Sequence, residues 1–375
     1  MPNPNAVVST FIRLDPPLDQ AAEALRTERG VSVELEGGRR VRLNPADPRS
    51  AGLARVLDEL RTRRRPVYLE IDPATLAITL LLIPHVTRIL GLRPAPDGSL
   101  DVELERSHAR HRLRRDSPDF GELQGRLRDA LGSRAQVILT ETDAHDILDV
   151  RGYTPGPDGP LPPFPEWPPR VPLPRGWIRD LLDRLWRWRL WPWWWFRCIS
   201  MTRAQQVFDA MSATSCNPLT VPPPCIPFLY PDDGCWGRAH EMCRLMIDMG
   251  LKPRKVWIDA QTGLHADTKN HPQCFVEWGW HVAPILCVRG GGTFLAQDMV
   301  IDPSLFTTPV SKATWKAVQG DPNATLTDSD ASIFYLWWNT TDPTYTETNA
   351  VLADHRLYLQ ARSVQIGPPP YVNCP

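Results

Sequence analysis

The chain has 375 residues, a formal net charge of −1 and 42% hydrophobic residues. That length accommodates two domains and a well-buried core. A balance this close to neutral excludes the strongly basic field of a nucleic-acid binder and gives no sign of a strongly acidic partner.

The opening Met1-Pro2-Asn3-Pro4-Asn5 has neither a basic n-region nor an apolar h-region, so no secretory signal peptide is expected. The longest apolar run, Ala74 to Ile83, is about half the roughly twenty residues that a membrane span needs and reads as a buried strand. The expected location is cytoplasmic, or outside the cell through a dedicated route that reads another address.

Residues 1–153 are expected to form a separate mixed α/β domain, to which the sequence assigns no role. Val31–Glu36 and Arg39–Leu43 alternate around Gly37-Gly38 and predict a hairpin. Ala51–Thr62 has an apolar stripe at Leu53, Val56, Leu57 and Leu60 and predicts a helix, as does Phe120–Leu131. Strands are expected over Val67–Ile71, Ile78–Ile83, Leu100–Glu105 and Gln136–Thr140. The cluster His108, Arg110, His111, Arg112, Arg114, Arg115 reads as a solvated strand face, with an anion site as the alternative.

Composition changes near residue 153. All fifteen Trp fall at or after Trp167, and none of the eight Cys precedes Cys198. Ten prolines between Pro155 and Pro174 predict an extended, semi-rigid linker. Trp177–Leu190 has helical apolar spacing and runs into a Trp- and Arg-rich stretch. Residues 154–200 thus read as linker plus amphipathic segment, with Trp186–Trp195 either packing within the molecule or lying at a membrane interface.

Residues 201–375 carry the chemistry. Thr202-Arg203-Ala204-Gln205 reads as a capping box opening a helix. After a proline-rich loop comes Asp232-Asp233-Gly234-Cys235-Trp236-Gly237-Arg238-Ala239-His240. Asp232 or Asp233 as N-cap and Gly250 as stop bracket an apolar face of Trp236, Ala239, Met242, Cys243, Met246 and Met249. Cys235 is therefore expected in the first helical turn. Unpaired amides and the helix dipole there favour a thiolate, and beside an imidazole a thiol pKa can fall to roughly 3.5–7.5. The same amides suit a developing oxyanion, where one donor is worth about 3–4 kcal/mol.

Cys274–Leu286 reads as one or two strands with His281 inside an apolar run. Gly290-Gly291-Gly292 reads as a hairpin turn, since no Lys follows it as a phosphate loop requires. Thr293–Ile301 is the next strand, and Pro303 stops it at Asp302. This order suits a thiol nucleophile, an imidazole base and a carboxylate that orients it, with Asp298 as the second choice for the last role. With Cys235 free, at most three disulfides can form from the remaining cysteines. Cys216 and Cys225 bracket a loop and are placed to pair, while reduced thiols are the default without a signal peptide. His240, Cys243, His271 and Cys274 are assigned structural roles, because no second tight ligand pair accompanies them.

Asp233-Gly234-Cys235, Arg238-Ala239-His240, Trp280-His281-Val282-Ala283 and Ile301-Asp302-Pro303-Ser304-Leu305-Phe306 together resemble the bacterial protein-glutaminase (protein glutamine deamidase) family over about residues 201–338. The resemblance implies an α+β chain whose C-terminal domain has a papain- and transglutaminase-like fold, its nucleophile helix packed on an antiparallel sheet. It implies Cys235, His281 and Asp302 as catalytic residues, no metal and no cofactor. Protein or peptide glutamine would be the substrate. Transglutaminase-type acyl transfer, thiol peptidase activity and an inactive binding module are the alternatives on the same fold.

Overall fold

The computed structural model describes residues 5–27, 30–154, 198–219, 225–289 and 296–374. The proline-rich linker, the Trp/Arg-rich segment and the Gly290–Gly292 turn fall outside them. By its contacts the chain divides into two units. One gathers the described residues up to 154, together with 218–219 and Arg356–Cys374; the other holds 198–217 and 225–355. Secondary structure is mixed, and the sheets are antiparallel apart from one short parallel pair. Among the described residues no helix is long and apolar enough to cross a membrane.

The first unit contains an internal duplication. Ala6–Ser9, Val67–Ile71 and Ile78–Leu82 form one three-stranded sheet, and Ile12–Asp15, Val31–Leu35 and Arg40–Leu43 form another. The second copy repeats both sheets. His85–Thr87, Val137–Glu141 and Ile147–Gly152 match the first, while Ile89–Pro94, Leu100–Leu104 and His111–Leu113 match the second. Helices Ser50–Thr62 and Phe120–Ser133 occupy equivalent places. Core residues recur 70 positions apart: Leu43, Leu53, Leu57, Val67 and Leu69 return as Leu113, Leu123, Leu127, Val137 and Leu139. The first copy alone inserts a helix, Leu18–Arg26, between its second and third strands.

Most expected elements of this unit form where periodicity places them. The basic cluster is a solvated face in its arginines, with Arg114 and Arg115 exposed and Arg110 and Arg112 half-buried, but not in its histidines. Within the strand His111–Leu113 the residues alternate buried, half-buried, buried, so His111 points inward while Arg112 pairs outward with Asp101. His108 is buried as well.

The second unit is built on a six-stranded sheet. Val310–Ser311, Ala296–Val300, Phe275–Arg289, Arg254–Asp267 and Thr325–Asp330 lie in that order, each antiparallel to its neighbour. Ile199–Ser200 adds in parallel to the end of Phe275–Arg289. Helices Met201–Ser212 and Cys235–Asp248 share a core with the sheet through Val207, Phe208, Met242, Met246, Leu286 and Val288. The first of these helices is capped by Ser200, whose hydroxyl accepts from the Arg203 amide; the capping-box reading at Thr202 was two residues late. Disulfides join Cys198 to Cys287 and Cys216 to Cys225, while Cys235 and Cys243 are free thiols. The default of reduced cysteines therefore fails for these pairs, because the fold brings their Cα atoms to 4.6 and 4.9 Å.

Gly237 shows how tightly the second helix is seated. A Cβ there would lie 2.6 Å from Val351 Cγ1 and 3.0 Å from its Cβ, and a β-branched neighbour has little freedom to yield. Helix propensity alone would make Gly237→Ala stabilising by about 1 kcal/mol. Overpacking costs about 1–3 kcal/mol. The expected outcome is that Gly237→Ala lowers the urea midpoint of the chain, and an unchanged or raised midpoint would show that the contact relaxes without cost.

Candidate active site

Helix Cys235–Asp248 begins one residue after a chain reversal. Gly234 is its N-cap, with φ 78°, a left-handed value at which a Cβ is strained. A Cβ at this position would also meet the His355 ring at 2.7 Å. The carboxylate of Asp233 accepts from the Gly234 amide at 2.8 Å. The cap expected at Asp232 or Asp233 is thus one or two residues early. Arg238, one turn in and fully buried, turns its guanidinium back to donate to the carbonyls of Tyr230 (2.9 Å) and Asp233. That anchors the loop before the helix and fixes Cys235 as its first residue.

His281 sits in the middle of the strand Phe275–Arg289, opposite Ile258. Cys235 Sγ and a ring nitrogen of His281 lie within 4.8 Å of each other. His281 Nε2 is 2.9 Å from Asp302 Oδ2. Asp302 follows the end of strand Ala296–Val300, as Pro303 led us to expect, and the strand pairing across Ile285 and Val300 brings it beside His281. The structure therefore brings all three expected residues together, each of them buried.

Two indoles hold this pair. Trp278 stacks on the His281 ring at 4.5 Å and 12°, and Trp315 stacks on it at 5.5 Å and 27°. Trp315 Nε1 also donates to Asp302 Oδ2 at 2.9 Å, and the Ser304 amide donates to Oδ1 at 3.2 Å. Trp278 Nε1 donates to the Asp232 carbonyl at 2.9 Å, tying the clamp to the loop before Cys235. Trp278 and His281 are three apart, so regular alternation would put them on opposite faces. The two rings nevertheless stack, and the pairing with the neighbouring strand shifts register at this point, between Asp259 and Leu264.

Burial raises the Cys235 thiol well above its usual range, with the Asp233 and Asp302 charges adding to it; Arg238 and the Val282 amide pull the other way and do not prevail. Desolvation thus works against the lowering expected of a thiol at a helix start beside an imidazole. Burial also works against ionisation of Asp302, yet His281, the hydrogen bond from Trp315 and Arg238 outweigh it and hold the carboxyl below its usual value. The Arg238 guanidinium is lowered by burial.

The other candidates have structural partners. Asp298 is salt-bridged to Arg254 (2.6 Å) and Lys312 (3.1 Å) on the sheet surface, away from the orienting role. His240 Nδ1 lies 2.8 Å from Lys255 Nζ, which also donates to the Ile333 carbonyl. Burial, helped by Lys255, lowers His240 to about 3, and burial lowers Lys255 to about 8. The Cys243 thiol is pushed by burial to about 11. His271 Nε2 is 3.1 Å from Asp232 Oδ1, and Cys274 is disulfide-bonded. The sequence reading missed Trp278, Trp315 and the anchoring role of Arg238; only Arg238 carried a signal, inside the motif.

The lowered Asp302 pKa has a stability consequence. A carboxyl depressed in the folded state contributes above its unfolded pKa of about 3.9, and the contribution is lost as pH falls through the lower folded value. Asp302→Asn is expected to cost about 1.5–3 kcal/mol at neutral pH, the worth of hydrogen bonds to a charged group. Denaturant titrations should show this gap constant above pH ~5 and closing below pH ~4. A gap independent of pH would mean that Asp302 is not ionised in the folded chain.

Comparison with known proteins places these observations. A crystal structure of pro- protein-glutaminase aligns at 20% identity over 78% of this chain and 99% of that chain, with a TM-score of 0.47. A crystal structure of protein-glutaminase aligns at 28% identity over 43% of this chain and 90% of that one, with a TM-score of 0.37. The NMR structure of protein-glutaminase from Chryseobacterium proteolyticum aligns at 26% identity over 48% and 97%, with a TM-score of 0.39. No curated protein matches the sequence significantly. Residues 204–319 match the family model described as glutaminase, and that stretch contains Cys235, His281 and Asp302, so the family resemblance carried by the sequence motifs is found again over about a third of the chain.

Proposed function

We propose that the second unit is a cysteine hydrolase that deamidates glutamine side chains in proteins or peptides, releasing ammonia. The observation that carries this reading is the buried line from Cys235 Sγ, within 4.8 Å of a His281 ring nitrogen, to Asp302, 2.9 Å from His281 Nε2. The setting, a nucleophile at the start of a helix against an antiparallel sheet, supports a papain- and transglutaminase-like arrangement. The glutaminase match over residues 204–319 supports the choice of leaving group.

Asp302 engages Nε2, so Nδ1 is the His281 nitrogen that takes the thiol proton. Cys235 Sγ attacks the glutamine Cδ, and the oxyanion forms against the amides of the first helical turn. The His281 imidazolium gives its proton to the nitrogen as the carbon–nitrogen bond breaks and ammonia leaves. A water then loses a proton to His281 and attacks the thioester, expelling the sulfur and leaving glutamate. The ionised Asp302 stabilises each imidazolium stage. Burial opposes charge on the Cys235 sulfur, so the reaction is written with the thiol proton passing to His281 as the sulfur attacks.

Beside Cys235, Trp236 packs with Trp280 and Tyr335, while Trp337 and Trp338 are exposed. These rings give an apolar surface suited to residues flanking a glutamine. Selection of glutamine over asparagine rests on one methylene, worth about 1–3 kcal/mol in pocket fit.

A glutamine-containing protein incubated with the wild-type chain should gain the mass of amide-to-acid conversion, with one ammonia per glutamate formed. Cys235→Ala and His281→Ala should each lower the rate by about 10⁴-fold or more. Adding a primary amine should leave hydrolysis the main path. A predominant amine adduct would instead establish a transglutaminase, new N-termini a peptidase, and full activity in Cys235→Ala would remove the thiol from the mechanism.

A further inference from the structure

The first unit contains a second cluster of ionisable side chains that plays no part in the chemistry above. Glu141, at the end of strand Val137–Glu141, is the meeting point of three imidazoles. Its Oε2 lies 2.5 Å from His111 Nδ1, and its Oε1 lies 2.7 Å from His145 Nδ1 and 3.0 Å from His85 Nε2. The donor atoms of His111, Glu141 and His145 all fall within 4.8 Å of one another. The side chains are shielded: His111 is fully buried and Glu141 is 8% exposed. The rings meet edge to face, His85 with His111 at 75° and His111 with His145 at 79°, so no ring covers the nitrogen of another.

The internal duplication shows that the fold does not require these residues. Arg112 N donates to the His145 carbonyl at 2.9 Å, as Arg42 N does to Leu76, and both acceptors have positive φ, 59° and 57°. His145 is therefore the counterpart of Leu76. Arg112 bridges Asp146 as Arg42 bridges Ala77, which makes His111 the counterpart of Val41. Thr142 N donates to the Asp146 carbonyl as Asp72 N does to Ala77, so Glu141 stands where Ile71 stands. His85 pairs with Leu139 as Val7 pairs with Leu69. Four aliphatic positions of the first copy have become three histidines and a glutamate, all directed at one point. Val41 and Ile71 are interior positions, and filling such a position with a polar group in place of a hydrocarbon is costly unless something compensates it.

We propose that His85, His111, His145 and Glu141 form a binding site for a divalent transition-metal ion, zinc in the first place. Three imidazole nitrogens and one carboxylate oxygen are a zinc donor set in number and type. Bonds of about 2.0–2.1 Å place tetrahedral donors roughly 3.3 Å apart, so His111, Glu141 and His145 close on an ion with shifts of about 1.5 Å or less, and His85, 3.0 Å from Glu141 Oε1, supplies the fourth donor by a further ring movement. His111 has an orienting partner on its far side: Nε2 lies 2.6 Å from Ser107 Oγ, whose position is fixed by the Ala109 amide at 3.1 Å. Such a partner sets which ring nitrogen faces a metal. The ion would join the sheet holding His111 to the sheet holding His85 and Glu141.

The rival is a metal-free cluster in which three neutral imidazoles donate to one carboxylate. To separate the two, the full chain without a histidine tag, carrying Cys235→Ala so that the thiol does not compete, is stripped with chelator and titrated with zinc chloride. The proposal expects one equivalent bound per chain and a higher melting temperature. X-ray absorption should show nitrogen and oxygen neighbours at about 2.0–2.1 Å with no sulfur. Ser107→Ala should weaken binding about 10–100-fold. His145→Ala and Glu141→Gln should abolish the tight equivalent, with far-UV circular dichroism of the metal-free variants checking that they fold. Binding well below one equivalent would overturn the proposal in favour of the metal-free cluster. One equivalent that survives both His145→Ala and Glu141→Gln, or a sulfur neighbour in the absorption spectrum, would overturn it by placing the ion elsewhere.

Discussion

A carboxylate removed from water is among the costliest groups a protein can bury, and it persists only where donors surround it. Asp302 is such a group, and the second unit is arranged to satisfy it. His281 comes from one strand, Trp315 from the short helix Lys312–Ala317, and the Ser304 amide from the turn that Pro303 forces at the strand end. Each donor fixes its own element: the bond from Trp315 Nε1 requires that the short helix lie over the end of strand Ala296–Val300, while the bond from His281 requires the pairing of Ile285 with Val300. Trp315 also stacks on the ring whose nitrogen shares its acceptor, so orientation of the imidazole and neutralisation of the charge come from the same contacts.

The thiol poses the opposite problem. A helix start offers amides and a favourable dipole, but desolvation of a sulfur anion is the larger effect when the residue is 1% exposed. Arg238 cannot reverse this, because its guanidinium hydrogen-bonds two backbone carbonyls and its field is shared with Asp233 and Asp302. Burial thus shifts the balance between thiol and thiolate toward the thiol.

Much of this was legible in the sequence because it depends on local rules. The stripe from Trp236 to Met246 sets one helix face, and Pro303 marks the residue where a strand must end, so Cys235 and Asp302 were placed from spacing alone. The N-cap was misread because the pair Asp232-Asp233 carries the stronger local signal, while the backbone reversal that selects Gly234 depends on His355 lying across it. Trp278 and Trp315 were illegible for a different reason. Their stacking on His281 joins a residue that strict strand alternation would place on the other face and a helix more than thirty residues away in sequence, and one indole among fifteen carries no mark of its partner. The Cys198–Cys287 disulfide spans 89 residues and is equally a product of tertiary approach. Likewise, nothing local in Arg356–Cys374 announces that this segment clusters with the first unit.

The duplication in the first unit is not legible in the sequence because its two copies share hydrophobic spacing and little else. Leu53 and Leu123 or Val67 and Val137 are common residues at common positions, and the inserted helix Leu18–Arg26 puts the early strands out of phase. Once the copies are superposed by their hydrogen bonds, their differences become more informative than their similarities. Where the backbone and its packing role are the same, a residue that only fills space has no reason to change chemical class. Val41 and His111 share a backbone environment down to the bridge that follows each, so the imidazole is not explained by the strand that carries it. The explanation has to lie in what the four substituted side chains do together, which is the kind of evidence that conservation among relatives would ordinarily supply and that this chain supplies from within itself.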